Sequence, residues 1–269
     1  MIIDAHTHLL APSSIFSAEM DGSPETLIRS MDEAGIEKAV TFVVAPFDDS
    51  SIVAEACRRF PDRLIGFAGI DPRECIDSDA EEFVDRLLEM HPFRGAKVHP
   101  RLTGFSFNDE RHLPLFSALA SRGLIVLTDC ASMTSNAPFG DNLPFEMDRV
   151  VRKVPDLTLI VAHMGGHRVL DAYAMALTHP GVYLDLSWLL DLYEGSSVEL
   201  DARWAIKRLA PLGKLIWGSD HPSEGNRPIA VMKDRWLELL AELDIAPVDV
   251  DRIMGGTIGK LLSLDSAEK

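Results

Sequence analysis

Cysteine is scarce in this sequence, which contains only Cys57, Cys75 and Cys130 among its 269 residues. These cysteines are odd in number and widely spaced, and no C-x-x-C pair is present. This argues against a disulfide framework and against a zinc site built from thiolates. Any metal that the chain binds must therefore be held by histidine and carboxylate side chains.

Long hydrophobic runs are also missing. No window reaches the roughly 18 uninterrupted apolar residues of a membrane-spanning helix, so no membrane association is expected. The N-terminus has no basic segment and its apolar run stops at Asp4, so we expect no signal peptide and a cytoplasmic protein. The hydrophobic fraction of 46% and the charged fraction of 25% are typical of a soluble globular protein.

The chain has few positively charged residues. It contains 26 Lys and Arg residues against 42 Asp and Glu residues, which gives a formal net charge of −16. Such a surface repels phosphate backbones at long range, which argues against nucleic acid as a partner. Cations inside a pocket can still override this field locally. We therefore expect a small, anionic substrate, and the sequence leaves a homo-oligomer open.

Eight short apolar runs recur along the chain, and segments with helical periodicity separate them. Runs that are apolar on both faces are expected of buried parallel strands. The runs cover 2–5, 39–45, 64–70, 95–99, 124–129, 157–163, 182–187 and 215–220. Nothing in the sequence marks a boundary between two domains. The pattern therefore predicts a single-domain α/β fold over residues 1–269, a closed (β/α)8 barrel.

The helical segments carry recognisable end signals. Ser23-Pro24-Glu25 offers an N-cap and a first-turn proline, and Gly35 and Gly123 stand where a helix would stop. The predicted helices lie near 24–35, 50–60, 78–90, 113–122, 143–154, 167–178, 198–209 and 229–243. Residues 248–264 predict a closing helix or pair of helices, and 265–269 a frayed end.

The stretch from Asp4 to His8 reads as the end of the first strand. Side chains alternate along a strand, so His6 and His8 are expected on one face with Thr7 on the other, and both imidazoles can reach one ion. In a (β/α)8 barrel the active site lies at the carboxyl ends of the strands. The other predicted strands place ligand-type residues at that same end, namely Lys97, His99, Asp129, His163 and Asp220.

These motifs resemble the amidohydrolase superfamily. The resemblance is carried by D-x-H-x-H at 4–8, G-x-K-x-H-P at 95–100, A-H-x-G-G at 162–166 and G-S-D-x-P at 218–222. It extends to the closing segment 253–256. More narrowly, the pattern is similar to the amidohydrolase-related group that includes aminocarboxymuconate-semialdehyde decarboxylase and small lactonases.

The resemblance implies that His6, His8 and Asp220 bind one divalent metal ion and that Asp220 acts as the catalytic acid and base. It implies that His163 either binds a second metal or polarises water or substrate. A divalent ion lowers the pKa of bound water to about 7, and a neighbouring carboxylate can take up the released proton. We expect zinc first, with manganese or magnesium as alternatives.

Three positions depart from the family pattern or leave alternatives open. Asp129 stands where many relatives have a histidine ligand, so either an oxygen ligand replaces a nitrogen there, which suits a harder ion, or the site loses one ligand. Lys97 occupies the position of a carboxylated, metal-bridging lysine, or it remains a cation beside an anionic substrate. Thr257 replaces an asparagine common in relatives. The expected substrate-binding residues are Lys97, His99 and Arg101. The guanidinium of Arg101 can hold a substrate carboxylate through two parallel hydrogen bonds.

Two further features lie close to the predicted site. The loop 131–142 is expected to cover the pocket, and Trp188 is expected to form a wall of it. The leading hypothesis is a metal-dependent hydrolase that acts on a small carboxylated ester, lactone or amide through a metal-activated water. The alternative is a lyase that decarboxylates an aromatic or unsaturated acid without oxidation. A third reading is a silent member that only binds a carboxylated metabolite.

Overall fold

The computed structural model describes residues 1–12, 14, 20–130, 143–222 and 227–264. Within them, eight parallel strands pair in sequence order, which confirms the predicted α/β barrel. The strands are β1 Ile3–His8, β2 Lys38–Phe42, β3 Leu64–Ile70, β4 Gly95–Val98, β5 Ile125–Thr128, β6 Leu159–Val161, β7 Val182–Asp185 and β8 Leu215–Ile216.

Helices follow the strands on the outside of the barrel. They are α1 Pro24–Ala34, α2 Ser51–Arg59, α3 Ala80–Met90, α4 Pro100–Thr103, α5 Leu113–Ser121, α6 Pro144–Lys153, α7 Val169–Thr178, α8 Leu189–Tyr193, α9 Ser197–Leu209, α10 Ile229–Glu242, α11 Pro247–Asp251 and α12 Thr257–Leu261. Short 3-10 segments cover 72–75, 110–112 and 210–212. Residues 162–168 form an irregular turn with a left-handed backbone at 163–165, and an irregular turn at 252–256 joins α11 to α12.

The predicted end signals of α1 and α5 take up the expected geometry. The Ser23 hydroxyl accepts a hydrogen bond from the Thr26 amide at 3.3 Å, with Pro24 in the first turn. Gly35 and Gly123 both have φ near +67°, a left-handed conformation that glycine adopts without steric cost. Local sequence therefore determines where these helices begin and end.

The barrel closes where β1 meets the chain that follows β8. The Ala5 amide donates to the Trp217 carbonyl at 3.1 Å, and the Asp220 amide donates to the His6 carbonyl at 2.8 Å. One carboxylate oxygen of Asp4 accepts from the Ser219 amide at 2.8 Å across the same line. We call this line of hydrogen bonds between residues 4–8 and 217–221 the seam.

Two buried apolar layers support the sheet. A smaller cluster joins residues of the strands with Ile258 and Leu262 near the chain end, so α12 contributes to the core beneath β1 and β8. A larger cluster lies between the strands and the outer helices. Among the described residues, no helix combines the length and apolarity that a membrane crossing requires.

Six predicted strands are longer than the observed ones, and the difference is largest for the sixth and the last. The sixth strand ends at Val161 because His163 and Met164 have φ of 56° and 50°, which breaks the extended backbone. The last strand ends at Ile216, and Asp220 lies beyond it with φ of 63°. The predicted covering loop 131–142 and frayed end 265–269 lie outside the described residues.

Gly218 lets the two sides of the seam approach each other. A Cβ atom at this position would lie 2.6 Å from the Cβ of His6 and 3.0 Å from its backbone nitrogen. We predict that Gly218→Ala lowers the free energy of unfolding by about 1–3 kcal/mol, the usual cost of forcing extra atoms into a packed core. Urea unfolding followed by circular dichroism would measure the change.

Gly259→Ala is the matched control for this substitution. Its Cβ would meet Ile3 and Met1 only at 3.5 and 3.6 Å, an ordinary packing distance. Alanine also favours helix over glycine, so this variant should be as stable as the parent or more stable. Equal stability of Gly218→Ala and the parent would show that the seam tolerates a wider spacing than we infer.

Candidate metal centre

The carboxyl ends of five strands bring the predicted site residues to one end of the barrel. His6 and His8 lie on β1, and Lys97 lies on β4. The others directly follow strands or lie in the seam: His99 after β4, Asp129 after β5, His163 in the segment after β6, and Asp220 in the seam. His6, Lys97, His99, Asp129 and His163 are all buried.

His6, His8 and Asp220 converge on one point. Oδ1 of Asp220 lies 2.9 Å from Nε2 of His6 and 3.2 Å from Nε2 of His8. One ligand atom from each of the three residues lies within 4.8 Å of the other two. Among the described residues, this is the group of histidine, cysteine and carboxylate side chains with the spacing of a metal site.

The three residues offer two imidazole nitrogens and one carboxylate oxygen. This donor set suits zinc and manganese. The second nitrogen of His6, Nδ1, hydrogen-bonds to the buried carboxylate of Asp185, and metal-binding histidines in proteins almost always have such a partner. The residues present therefore fit a divalent metal ion.

Burial and neighbouring charges set the protonation of these ligands. Burial lowers the pKa of His8 to about 4, so this imidazole is neutral at pH 7 and has a lone pair for a metal. Burial opposes ionisation of Asp220, but the positive charge and hydrogen bond of His6 and the hydrogen bond of His8 hold its pKa well below its usual value. Asp220 is therefore an ionised carboxylate.

His6 responds differently because two carboxylates face it. Burial and the charge of Lys97 lower the pKa of His6, but Asp185 and Asp220 together outweigh them and raise the pKa above its ordinary value. A cation is therefore favoured where these carboxylates meet. A divalent ion in the site would take the place of the imidazole proton on Nε2.

Asp129 belongs to a different part of the site. Its Oδ1 lies 3.4 Å from Nε2 of His99 and 3.5 Å from Nε2 of His163, and its Oδ2 lies 3.5 Å from Nε of Arg101. Burial opposes ionisation of Asp129, but His99, His163 and Arg101 hold its pKa far below the usual value. That Asp129 binds the metal remains a prediction, since it is not part of the group formed by His6, His8 and Asp220.

Lys97 lies between these two groups. It is 2% exposed, its Nζ is 3.3 Å from Nε2 of His6, and it lies over the Phe42 ring at 4.8 Å from the centroid. Burial lowers the pKa of Lys97, although Asp129 and Asp220 oppose that effect. A lowered pKa eases access to the neutral amine, the form that a carboxylation would require, and carboxylation stays a prediction.

Arg101 and His99 form the polar wall next to Asp129. Arg101 is 6% exposed, and its Nη1 is buried without a hydrogen-bond partner in the described part of the chain. Burial lowers the pKa of His99 to about 3, so its ring is neutral and Arg101 supplies the charge. Trp188 lies edge-on to His163 with 5.8 Å between ring centroids, and that it forms a wall of the pocket stays a prediction.

Asp185 and Ser187 also belong to this site, although the sequence pattern did not single them out. Both are fully buried and contact His6, and Ser187 also contacts His163. The available signal was the run Val182-Tyr-Leu-Asp-Leu-Ser187, in which two polar residues at alternate positions interrupt an apolar strand. Polar residues at the carboxyl end of a barrel strand indicate function rather than packing.

Comparisons with solved structures agree with this fold. No curated protein matches the chain in sequence. A probable 2-pyrone-4,6-dicarboxylic acid hydrolase from Acinetobacter baumannii, solved with citric acid bound, superposes with a TM-score of 0.70 at 17% identity, covering 97% of this chain and 99% of the other.

Two other solved structures contain metals. An amidohydrolase from Burkholderia multivorans with bound zinc gives a TM-score of 0.72 at 15% identity, covering 98% and 99% of the two chains. A 5-carboxyvanillate decarboxylase from Novosphingobium aromaticivorans, complexed with manganese and 4-hydroxy-3-methoxy-5-nitrobenzoic acid, gives 0.69 at 14% identity and covers 98% and 96%. At these identities the likeness shows the fold.

The sequence itself shows the family. The model of the Amidohydro_2 family, described as amidohydrolase, matches residues 3–264. The match runs from the first strand, with its two histidines, to the chain beyond α12. This chain belongs to the amidohydrolase family.

Proposed function

We propose that this protein is a metal-dependent hydrolase of a small carboxylated ester, lactone or amide. The observation that carries the proposal is the convergence of His6, His8 and Asp220 on one point. The zinc-bound and manganese-bound structures with the same fold support a divalent metal there. Zinc is the first choice because two of the three donors are imidazole nitrogens.

Asp220 is the residue that moves the proton. When bound, a divalent ion lowers the pKa of water to about 7 and polarises a carbonyl group. Because His6 and His8 keep Asp220 ionised at pH 7, its carboxylate can accept the proton of the attacking water. Asp220 then returns this proton to the leaving oxygen or nitrogen, which regenerates the carboxylate.

Arg101 and Lys97 bind the carboxylate of the substrate. Both are buried cations, and Nη1 of Arg101 has no hydrogen-bond partner in the described part of the chain. Asp129 lies 3.5 Å from Nε of Arg101 and balances part of its charge. A buried guanidinium nitrogen without a hydrogen-bond partner is still costly until an acceptor such as a substrate carboxylate meets it. His163 is the second catalytic residue of this proposal, and its role is to orient the water or the substrate.

A decarboxylase is the second candidate. The same cations can hold an acid that loses carbon dioxide, and one of the similar folds is a 5-carboxyvanillate decarboxylase. We favour hydrolysis because the ionised Asp220 is ready to accept a proton from water, whereas protonation of a carbon atom requires Asp220 to carry the proton first.

The two candidates differ in product. The protein loaded with zinc or manganese would be incubated with carboxylated lactones, esters and amides, and acid release would be followed with a pH indicator. Aromatic and unsaturated acids would be tested in parallel for carbon dioxide. Hydrolysis of at least one carboxylated class supports the proposal. Carbon dioxide release without any hydrolysis would overturn it in favour of the lyase.

Removing both imidazoles of β1 tests the metal site. We predict that His6→Ala combined with His8→Ala abolishes stoichiometric zinc and activity, because two of three protein ligands are lost. Atomic emission after dialysis measures the metal, and circular dichroism checks that the barrel remains folded. His167→Ala, which changes an exposed histidine, is the control and should keep its metal. A double variant that retains stoichiometric zinc refutes the site.

Replacing the carboxylate tests the proton carrier. Asp220→Asn keeps an oxygen that can face the ion but cannot hold the proton of water at neutral pH. We predict partial metal retention and a kcat that falls by about 100-fold to 10,000-fold. Steady-state kinetics on metal-loaded protein would measure it. A rate within about threefold of the parent, far less than a positioned base contributes, would move the role to His163.

Arg101→Ala tests the carboxylate pocket. A lost charge-assisted hydrogen bond costs roughly 1.5–3 kcal/mol, so KM for a carboxylated substrate should rise by about 10-fold to 100-fold with the metal content unchanged. Arg111→Ala is the control because its guanidinium is exposed and, within the described residues, bonds only to Asp109. An unchanged KM in Arg101→Ala would mean that the substrate carboxylate binds elsewhere.

A further inference from the structure

Asp185 and Ser187 form a buried polar pair behind His6. Both side chains are inaccessible to solvent. The Ser187 amide donates to Oδ1 of Asp185 at 2.6 Å, and the Ser187 hydroxyl donates to Oδ2 at 2.9 Å. The only hydrogen of this hydroxyl is therefore committed to the carboxylate.

The serine oxygen also lies between two imidazoles. It is 3.0 Å from Nδ1 of His6 and 3.0 Å from Nδ1 of His163. Since its hydrogen points to Asp185, this oxygen can only accept from the two rings. Each Nδ1 must then carry a hydrogen.

The other partners of the two rings also require a hydrogen on each Nδ1. Nδ1 of His6 also contacts the Asp185 carboxylate, which accepts and does not donate when ionised. Nδ1 of His163 lies 2.9 Å from the Ser187 carbonyl, which only accepts. Two independent acceptors thus face each Nδ1 atom, and no donor competes for that side of either ring among the described residues.

A neutral imidazole with its hydrogen on Nδ1 has its lone pair on Nε2. Nζ of Lys97 lies 3.3 Å from Nε2 of His6 and can donate to that lone pair. Oδ1 of Asp220 lies 2.9 Å from the same nitrogen, and a metal ion bound there would lie between these two acceptors. Nε2 of His163 lies 3.5 Å from Asp129. We infer that Asp185 and Ser187 are positioning residues that hold His6 and His163 in this tautomer and aim both Nε2 lone pairs into the site. The inference rests on the proposed function in taking His6 as the metal ligand.

The two positioning residues differ in what their loss would remove. Asp185→Asn takes away the ionised acceptor of His6 and introduces an amide NH2 that can donate to Nδ1, which favours the wrong tautomer. Ser187→Ala removes the hydroxyl oxygen that the two rings share. The Asp185 carboxylate still accepts from His6, and the backbone carbonyl of residue 187 still accepts from His163. The effect of Asp185→Asn should therefore be the larger.

Two measurements without substrate test the inference. Nitrogen NMR of protein labelled with 15N-histidine, metal-free and at alkaline pH, reports which ring nitrogen carries the hydrogen. Competition with a chromogenic chelator reports zinc affinity. We expect Nδ1–H on both rings of the parent, mixed tautomers at His6 in Asp185→Asn, and a loss of zinc affinity of about 10-fold to 100-fold in that variant.

Ser187→Ala provides the smaller perturbation. It deletes a single oxygen atom, and we expect zinc affinity to fall by about 10-fold, the lower end of the range for partners of metal ligands. The control is Thr41→Val, since Thr41 is equally buried and its Oγ1 has no hydrogen-bond partner in the described part of the chain. Zinc affinity of this control should equal that of the parent.

The inference is overturned if folded Asp185→Asn and Ser187→Ala both keep the parent's nitrogen shifts and zinc affinity. Should Asp185→Asn fail to fold, Ser187→Ala decides alone, and an unchanged affinity there overturns the inference. Both readouts are independent of turnover. A parent that binds zinc with both Nδ1–H tautomers but hydrolyses nothing would overturn only the proposed function.

Discussion

The candidate site depends on the seam that joins β1 to the chain after β8. His6 and His8 lie on one side of it and Asp220 on the other, so the three come together only if the barrel closes. The Asp4 carboxylate accepts a hydrogen bond across the seam. Gly218 has no side chain that would push the two sides apart. Closure also leaves the sheet without an exposed edge at this point.

Within the closed barrel, buried charges stabilise one another. Burial opposes ionisation of Asp129, Asp185 and Asp220, yet nearby histidines and cations lower the pKa of each. Each of these charges would be costly alone, and removing one leaves its partners unpaired in a medium of low dielectric. The site therefore behaves as one electrostatic unit. A divalent ion held by His6, His8 and Asp220 would add positive charge where the carboxylates of Asp185 and Asp220 converge on His6.

The backbone is strained where it aims these side chains. His163, Met164, Trp188 and Asp220 have φ between 50° and 63°, a left-handed conformation that costs a residue with a side chain roughly 1–2 kcal/mol. All four lie beyond the carboxyl ends of strands, next to the site. Such strain is characteristic of functional sites, where the surrounding structure holds it in place. It also explains why the sixth strand ends earlier than its apolar pattern predicts.

Much of the fold could be read from local patterns. The alternation around His6 and His8, the apolar runs and the helix caps are set by nearest neighbours along the chain, so the barrel and most helix boundaries were predictable. The ends of the strands were less predictable. In the sixth strand, for example, the apolar run continues up to His163, where the backbone has already turned. Asp185 was missed because its role depends on a contact with His6, 179 positions away in the sequence.

The amino-acid sequence by itself determined the strand and helix pattern, the family, and the set of histidines and carboxylates at the strand ends. Only the tertiary structure decided which of them meet: Asp220 with His6 and His8, Asp129 with His99, His163 and Arg101, and Ser187 with two imidazoles. The physical reason is that strand pattern is local, whereas distances between side chains on different strands depend on barrel closure, stagger and the turns after each strand.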